Sequence, residues 1–217
     1  MLSSMHSKTL TDSGNLQVTI LQAKTYEDLK KRLSNSNCRL CPLCEGRTQI
    51  VVDRGNPKAT VMMIGEGPGE NEDLTGQAFV GRGGKLLDNL FLEVGLNTDQ
   101  DTLIANVVKC RPPKNRAPER SEAETCMPYL RRQIELVKPE VLIMLGATAF
   151  KHLLPHHKKF SVKDWVGRFF EDPAFPGLKL FLLFHPAYIL RDPRKKPLMI
   201  EMLKIFKKEY EKCRIRP

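Results

Sequence analysis

The sequence predicts an α/β fold built on a mainly parallel sheet. Four short apolar runs carry that prediction: Val61–Ile64, Leu103–Val108 (interrupted at Asn106), Val141–Leu145 and Leu180–Phe184. Each has strand length, and continuous apolarity suits strands covered on both faces. Helical patterns lie between them, and alternation of strands with helices produces parallel sheets. At 217 residues the chain has the size of one domain, with a core large enough to need no staples.

The elements follow in chain order. Residues 1–24 are polar, and Met1–Asn15 is Ser/Thr-rich without an apolar stretch; this is a flexible leader and not a secretory signal. Tyr26, Leu29 and Leu33 stand at helical spacing and predict a short helix over Tyr26–Leu33. Leu86, Leu87, Leu90, Phe91 and Val94 share one face of a helix over Gly84–Val94. Glu119–Val137 is the longest helix, with acidic residues early, as a helix N-terminus prefers, and Pro128 placed to split it. Ala147–Leu154 and Leu198–Tyr210 complete the set, so residues 25–217 form one domain with a basic C-terminal helix. No apolar run approaches the ~18 residues of a membrane span, and a cytoplasmic location is the default expectation.

The formal net charge is +10, unevenly spread. Arg191–Arg216 holds ten Lys/Arg against four Asp/Glu, and Lys109–Arg132 seven against three. Basic blocks favour a polyanionic partner, DNA, RNA or an acidic surface, although they also serve solubility.

Six cysteines in a cytoplasmic protein point to thiols or metal ligands rather than disulfides. Cys38-x-x-Cys41 brings two thiolates within reach of one metal or cluster, Cys44 continues the spacing, and Cys110 and Cys126 come later. Four soft thiolates suit zinc or an iron–sulfur cluster; a zinc ribbon would repeat the tight pair, which Cys110 and Cys126 do not. Spacing leaves two ligand sets open: Cys38, Cys41 and Cys44 with one remote cysteine, or Cys38, Cys41, Cys110 and Cys126. Cys213 stands apart in the basic tail.

The remaining chemistry gathers where the strands end, which is where open α/β sheets bind ligands. The first strand runs into Gly65-Glu66-Gly67-Pro68-Gly69-Glu70-Asn71-Glu72-Asp73, the second holds Asn106, the third meets Gly146-Ala147 and the fourth His185-Pro186-Ala187. The glycine loop is neither a Walker loop nor Gly-x-Gly-x-x-Gly, and its carboxylates would repel phosphates. They suit a small neutral ligand or a cation formed during reaction. His185 can donate a hydrogen bond to a developing anion. Phe79, among the glycines of Gly76–Gly84, is either a stacking platform for a flat ligand or a loop anchor. His152, His156 and His157 are expected at the surface or a helix end.

Taken in order, Cys38-Arg39-Leu40-Cys41-Pro42-Leu43, Gly65–Asp73, Gly76-Gln77-Ala78-Phe79-Val80-Gly81, the stretch from Asn106 through Lys109-Cys110-Arg111-Pro112-Pro113 to Asn115-Arg116 and Pro118, then Cys126 and His185-Pro186-Ala187-Tyr188 closely resemble family 4 uracil-DNA glycosylases. The resemblance spans roughly residues 36–210. It implies a three-layer α/β/α sandwich and one structural 4Fe–4S cluster on Cys38, Cys41, Cys110 and Cys126, with no catalytic divalent metal. It implies a monofunctional hydrolase that extrudes deoxyuridine from single- or double-stranded DNA, releases uracil and leaves an abasic site. Phe79 would stack on the base, Asn106 would read its Watson–Crick edge and His185 would hydrogen-bond O2, with Gly67 in the base pocket. Glu66 would stabilise the cationic sugar or position water. Glu72 would share that task or exclude the 5-methyl group of thymine, and Asn115 would be a further catalytic position. Family 1 carries an Asp where Gly67 stands, so its base has no counterpart, and the lack of the basic His-bearing insertion of the covalent-trapping branch implies turnover. Lys109, Arg111, Lys114, Arg116 and Arg191 would grip DNA phosphates, and a residue within Tyr188–Arg191 would fill the vacated base space. A monomer is expected. The competing expectation is a non-catalytic iron–sulfur nucleic-acid-binding protein, which needs the cysteines and basic blocks but has no use for Glu66, Asn106 and His185.

Overall fold

A computed structural model describes residues 15–214, with side chains through 212. Its centre is a six-stranded sheet in the order β1-β3-β2-β4-β6-β5. The inner strands β3 (Thr102–Asn106), β2 (Val61–Gly65), β4 (Val141–Leu145) and β6 (Lys179–Leu183) are mutually parallel. Two-residue strands β1 (Arg54–Gly55) and β5 (Phe169–Phe170) close the edges antiparallel. The inner strands fall where the four apolar runs predict them, although β3 ends at Asn106.

Strand alternation sorts the core into two layers. Met62, Ile64, Leu103, Ala105, Leu142, Met144, Leu180 and Leu182 face one side, where they meet α2 (Tyr26–Ser34), α6 (Arg120–Val137) and α7 (Gly146–Leu153). Val61, Met63, Ile104, Val141, Ile143, Leu145, Phe181 and Leu183 face the other, against α4 (Arg82–Glu93), α9 (Pro186–Arg191) and α10 (Lys196–Arg214). The result is the α/β/α sandwich. The chain leaves β2 for β3 on one flank, then crosses to β4 on the other. The connections that leave the carboxyl ends of β2 and β4 therefore run in opposite directions, and the crevice between them is where such sheets bind ligands.

Three local expectations change. Residues 15–21 form helix α1, with Ile20 and Ala23 buried in the first core layer, so the domain begins before residue 25. Residues 1–14 lie outside the described residues. Pro128 does not split α6; the carbonyl it leaves without an N–H partner belongs to exposed Glu124, where water can satisfy it. Residues 70–75 of the acidic loop are helix α3 (Glu70–Thr75), closed by the left-handed Gly76. Short helices α5 (Thr98–Asp101) and α8 (Val162–Trp165) complete the chain.

Candidate active site

All four inner strands deliver their C-terminal residues to one cleft of about 1080 Å³. Its lining includes Glu66, Gly67, Glu72, Phe79, Asn106, Asn115, Arg116, His185 and Arg191. The strand-end residues singled out in the sequence are therefore neighbours in space.

Asn106 ends β3 and is 1% exposed, yet among the described residues its Oδ1 has no hydrogen-bond partner. A buried, unpaired amide oxygen costs on the order of 1–3 kcal/mol unless a ligand satisfies it. Phe79 stands beside it: a Cβ on Gly65 would lie 2.5 Å from both Asn106 Oδ1 and the Phe79 ring. Only glycine at 65 lets the strand end pass behind these two side chains. Phe79 itself has φ +56°, an uncommon conformation for a bulky residue. Arg54, donating to its carbonyl oxygen, and Gly84, where a Cβ would sit 1.7 Å from that oxygen, hold it there. Arg54 and Gly84 carry no sequence signal for this role, because it depends on a backbone torsion thirty residues away or less.

His185 caps α9, its Nδ1 accepting the Ala187 N–H at 3.1 Å. That bond leaves the proton of the neutral ring on Nε2. Burial, aided by the Arg191 charge, pushes the His185 pKa down to about 4, so the ring is neutral at physiological pH. Phe79 and His185 ring centroids are 5.9 Å apart. The cleft thus presents an aromatic face, an unpaired amide oxygen and a neutral N–H donor side by side, a set suited to a flat, polar-edged heterocycle.

The carboxylates separate by their partners. Glu66 follows β2 directly and its backbone carbonyl accepts the Val108 N–H at 3.2 Å. Glu72 accepts the Gly69 N–H at 3.1 Å on one oxygen and the Gly81 N–H at 2.8 Å on the other. It ties the start of α3 to the Phe79 loop. Gly67 cannot take a side chain freely: its Cβ would lie 2.8 Å from Val108 Cγ2. Asn115 has φ +55° and accepts Arg111 Nε at 2.8 Å through Oδ1. His152, in the last turn of α7, is within electrostatic reach of Glu66; burial pushes its pKa down, with Glu66 opposing.

A second, small cavity is lined by Cys38, Cys41, Cys110 and Cys126, with Arg47, Lys109 and Tyr129, and not by Cys44. Among the described residues, the one trio of His, Cys, Asp or Glu ligand atoms within 4.8 Å of one another is not formed by cysteines. A tetrahedral zinc with bonds of ~2.3 Å would hold its sulfurs about 3.8 Å apart. Among the described residues, no three of these sulfurs lie within 4.8 Å of one another. Burial pushes the Cys110 thiol up to about 11 and Cys126 up to about 12, so without metal they stay protonated and inert. Arg47 donates to Cys110 Sγ at 3.3 Å, and the side chain of Lys109 is buried beside the same thiols. Two cations next to four thiols suit an anionic metal–thiolate group. The side chain of Cys213 lies outside the described residues.

Residues 52–207 match the family model described as the uracil DNA glycosylase superfamily. A type-4 uracil-DNA glycosylase of Thermotoga maritima is 42% identical over 176 residues, 77% of this chain and 86% of that one. A type-4 uracil-DNA glycosylase of Archaeoglobus fulgidus is 38% identical over 193 residues, 88% of this chain and 94% of that one. The chain belongs to the type-4 uracil-DNA glycosylases. A type-5 uracil-DNA glycosylase of Pyrobaculum aerophilum is more distant, at 28% over 193 residues.

The basic residues of this glycosylase do not all face a ligand. Lys109, expected on DNA, is 1% exposed and donates from Nζ to the Asn106 carbonyl at 2.8 Å. Its long stem carries the charge inward to the cysteine cavity, out of reach of any phosphate. Arg116 lines the cleft but forks onto buried Glu122 at 2.8 and 2.6 Å. Arg111 pairs with Glu70 at 3.3 Å and with Asn115. Lys114 is exposed in the loop before Arg116, and Arg191 is exposed at the cleft rim on α9.

Proposed function

We propose that this chain excises uracil from DNA by hydrolysing the N-glycosidic bond of deoxyuridine. The carrying observation is the buried, unpaired Asn106 Oδ1 beside Phe79 and the Nε2–H of His185. Uracil N3 carries a proton where cytosine N3 carries a lone pair, so the Asn106 oxygen accepts from uracil and repels cytosine. Phe79 stacks on the extruded ring. Extrusion costs a few kcal/mol, which stacking and these hydrogen bonds offset.

As the bond from C1′ to N1 breaks, its electron pair moves onto the base and charge builds on O2. The neutral His185 Nε2–H donates to that oxygen, a contribution on the order of 10²–10³ in rate. The sugar becomes oxocarbenium-like, and Glu66 faces it as the stabilising anion. Water, oriented by Glu66, then bonds to C1′, and the proton it gives up neutralises the uracil anion through solvent, leaving a C1′ hydroxyl and free uracil. Glu72 acts as a positioning residue for the Phe79 loop, its two oxygens already committed to backbone N–H groups. Exposed Leu190, on the cleft rim between Tyr188 and Arg191, is placed to enter the duplex as the wedge.

Cys38, Cys41, Cys110 and Cys126 hold a 4Fe–4S cluster whose part is structural: it joins the segment after α2, the loop after β3 and the body of α6. Lys109 spans from this site to the Asn106 carbonyl, so cluster binding and base recognition share one strut. The glycosylase acts on single- and double-stranded DNA as a monomer in the cytoplasm, without added divalent metal. Single-turnover excision and DNA affinity measured for Glu66→Ala, Asn106→Ala and His185→Ala test the roles. Excision should fall by ~10²-fold or more while binding changes little; equal losses in both would reduce the cleft to a binding site.

A further inference from the structure

The turn after α7 brings His156 and His157 onto the loop between β5 and β6. The Nε2 atoms of both rings converge on one atom, Asp172 Oδ2, at 2.9 and 2.7 Å. All three candidate ligand atoms lie within 4.8 Å of one another. None of the three residues lines the cleft or the cysteine cavity.

We propose that His156, His157 and Asp172 form a second metal site, for a borderline divalent ion of the zinc type. The donor set decides the class: two imidazole nitrogens and one carboxylate oxygen suit zinc, cobalt or nickel, whereas magnesium and calcium prefer oxygen throughout. The ligands are held before any ion arrives. The Asp172 side chain is 3% exposed. Its other oxygen accepts the Ala174 N–H at 2.8 Å. The His157 ring is wedged between Trp165, edge-on with centroids 4.9 Å apart, and Phe150 at 5.6 Å. Its χ angles are therefore fixed by packing. His156 remains half exposed, which leaves the fourth position of a tetrahedral ion to water.

To bind an ion, each imidazole carries its proton on Nδ1 and offers the Nε2 lone pair that now faces Asp172. Bound metal would clasp the 154–160 turn to the β5–β6 loop. Between those two segments runs α8, and Val162, Lys163 and Val166 at its ends form one wall of the cleft. The clasp therefore stiffens a wall of the DNA-binding cleft without touching the chemistry.

The test uses the full-length, cluster-loaded protein, with Zn²⁺ and then Co²⁺ as probes. Calorimetric titration should give one site per chain, and Zn²⁺ should raise the melting temperature reversibly to chelator. Bound Co²⁺ should show the ligand-field bands of a four- or five-coordinate site without sulfur charge transfer, which separates it from an ion lodged among the cysteines. His156→Ala and the isosteric Asp172→Asn should each weaken binding by roughly tenfold or more. Because His156 is half exposed, that variant folds even if Asp172→Asn does not. Zn²⁺ that leaves stability unchanged, or binds both variants as well as the parent, would reduce the trio to a hydrogen-bonded turn and overturn the proposal.

Discussion

His185 gives the sharpest test of how the cleft handles charge. Its pKa of about 4 lies well below the ordinary 6.5, because burial penalises the imidazolium and Arg191 repels it. At pH 6 an ordinary histidine is about three-quarters protonated, whereas His185 is about 1% protonated. Protonation would place a proton on Nδ1, where the Ala187 N–H already points, and break the cap of α9. The folded value is the lower one, so on acidification the unfolded chain takes up its proton first. Stability from this residue is complete above about pH 6.5, declines as pH falls, and is down by about 3 kcal/mol below pH 4. The Cε1–H resonance of His185 should titrate near pH 4, and single-turnover excision should not fall with a midpoint near 6.5. Arg191→Ala should move that midpoint upward. A midpoint near 6.5, or excision that accelerates as imidazolium forms, would refute the neutral-donor assignment.

Four further outcomes follow from named contacts. Glu72→Gln turns an acceptor into an amide N–H facing the Gly69 or Gly81 N–H and should cost ~1–3 kcal/mol in chemical denaturation; a large loss of kcat at unchanged stability would instead make Glu72 chemical. Gly84→Ala drives a Cβ into the Phe79 carbonyl and should destabilise by about 3 kcal/mol or more, or release Phe79 from its conformation, visible as weaker uracil binding. Cys126→Ala should lose iron, sulfide and visible absorbance, whereas Cys44→Ala should keep them; loss in both would reinstate the contiguous ligand set. Lys109→Met should lower iron content and uracil affinity but leave the salt dependence of DNA binding unchanged, while Arg191→Ala should reduce that slope by about one.

The inner strands were legible because a strand buried on both faces must be apolar throughout, as Val141–Leu145 is. The edge strands were not: Arg54–Gly55 and Phe169–Phe170 are two residues long and leave no periodicity. Helix α3 was hidden by its glycine lead-in, although Glu72 three residues after Gly69 is a helix-start signal in its own right. Within the site, Glu66, Asn106 and His185 were legible because each stands within two residues of the end of an apolar run. The two cysteine sets could not be separated by spacing, since the choice depends on the path of α6, which brings Cys126 to Cys110. Lys109 was misplaced because counting charges cannot distinguish a cation facing solvent from one folded inward against thiols and a carbonyl. The convergence of His156 and His157 on Asp172 was invisible for the same kind of reason: fifteen residues and an edge strand separate the partners.

The most direct measurement is the identity of what leaves the DNA. Purified protein is incubated with single- and double-stranded oligonucleotides carrying one uracil, thymine or cytosine, without added divalent metal, and the free bases are quantified by mass spectrometry. Free uracil from both uracil substrates, in molar excess over protein, with alkali-labile abasic sites left behind and neither thymine nor cytosine released, is the predicted result. Intact uracil-containing DNA, or protein held covalently on it after one event, would contradict the account.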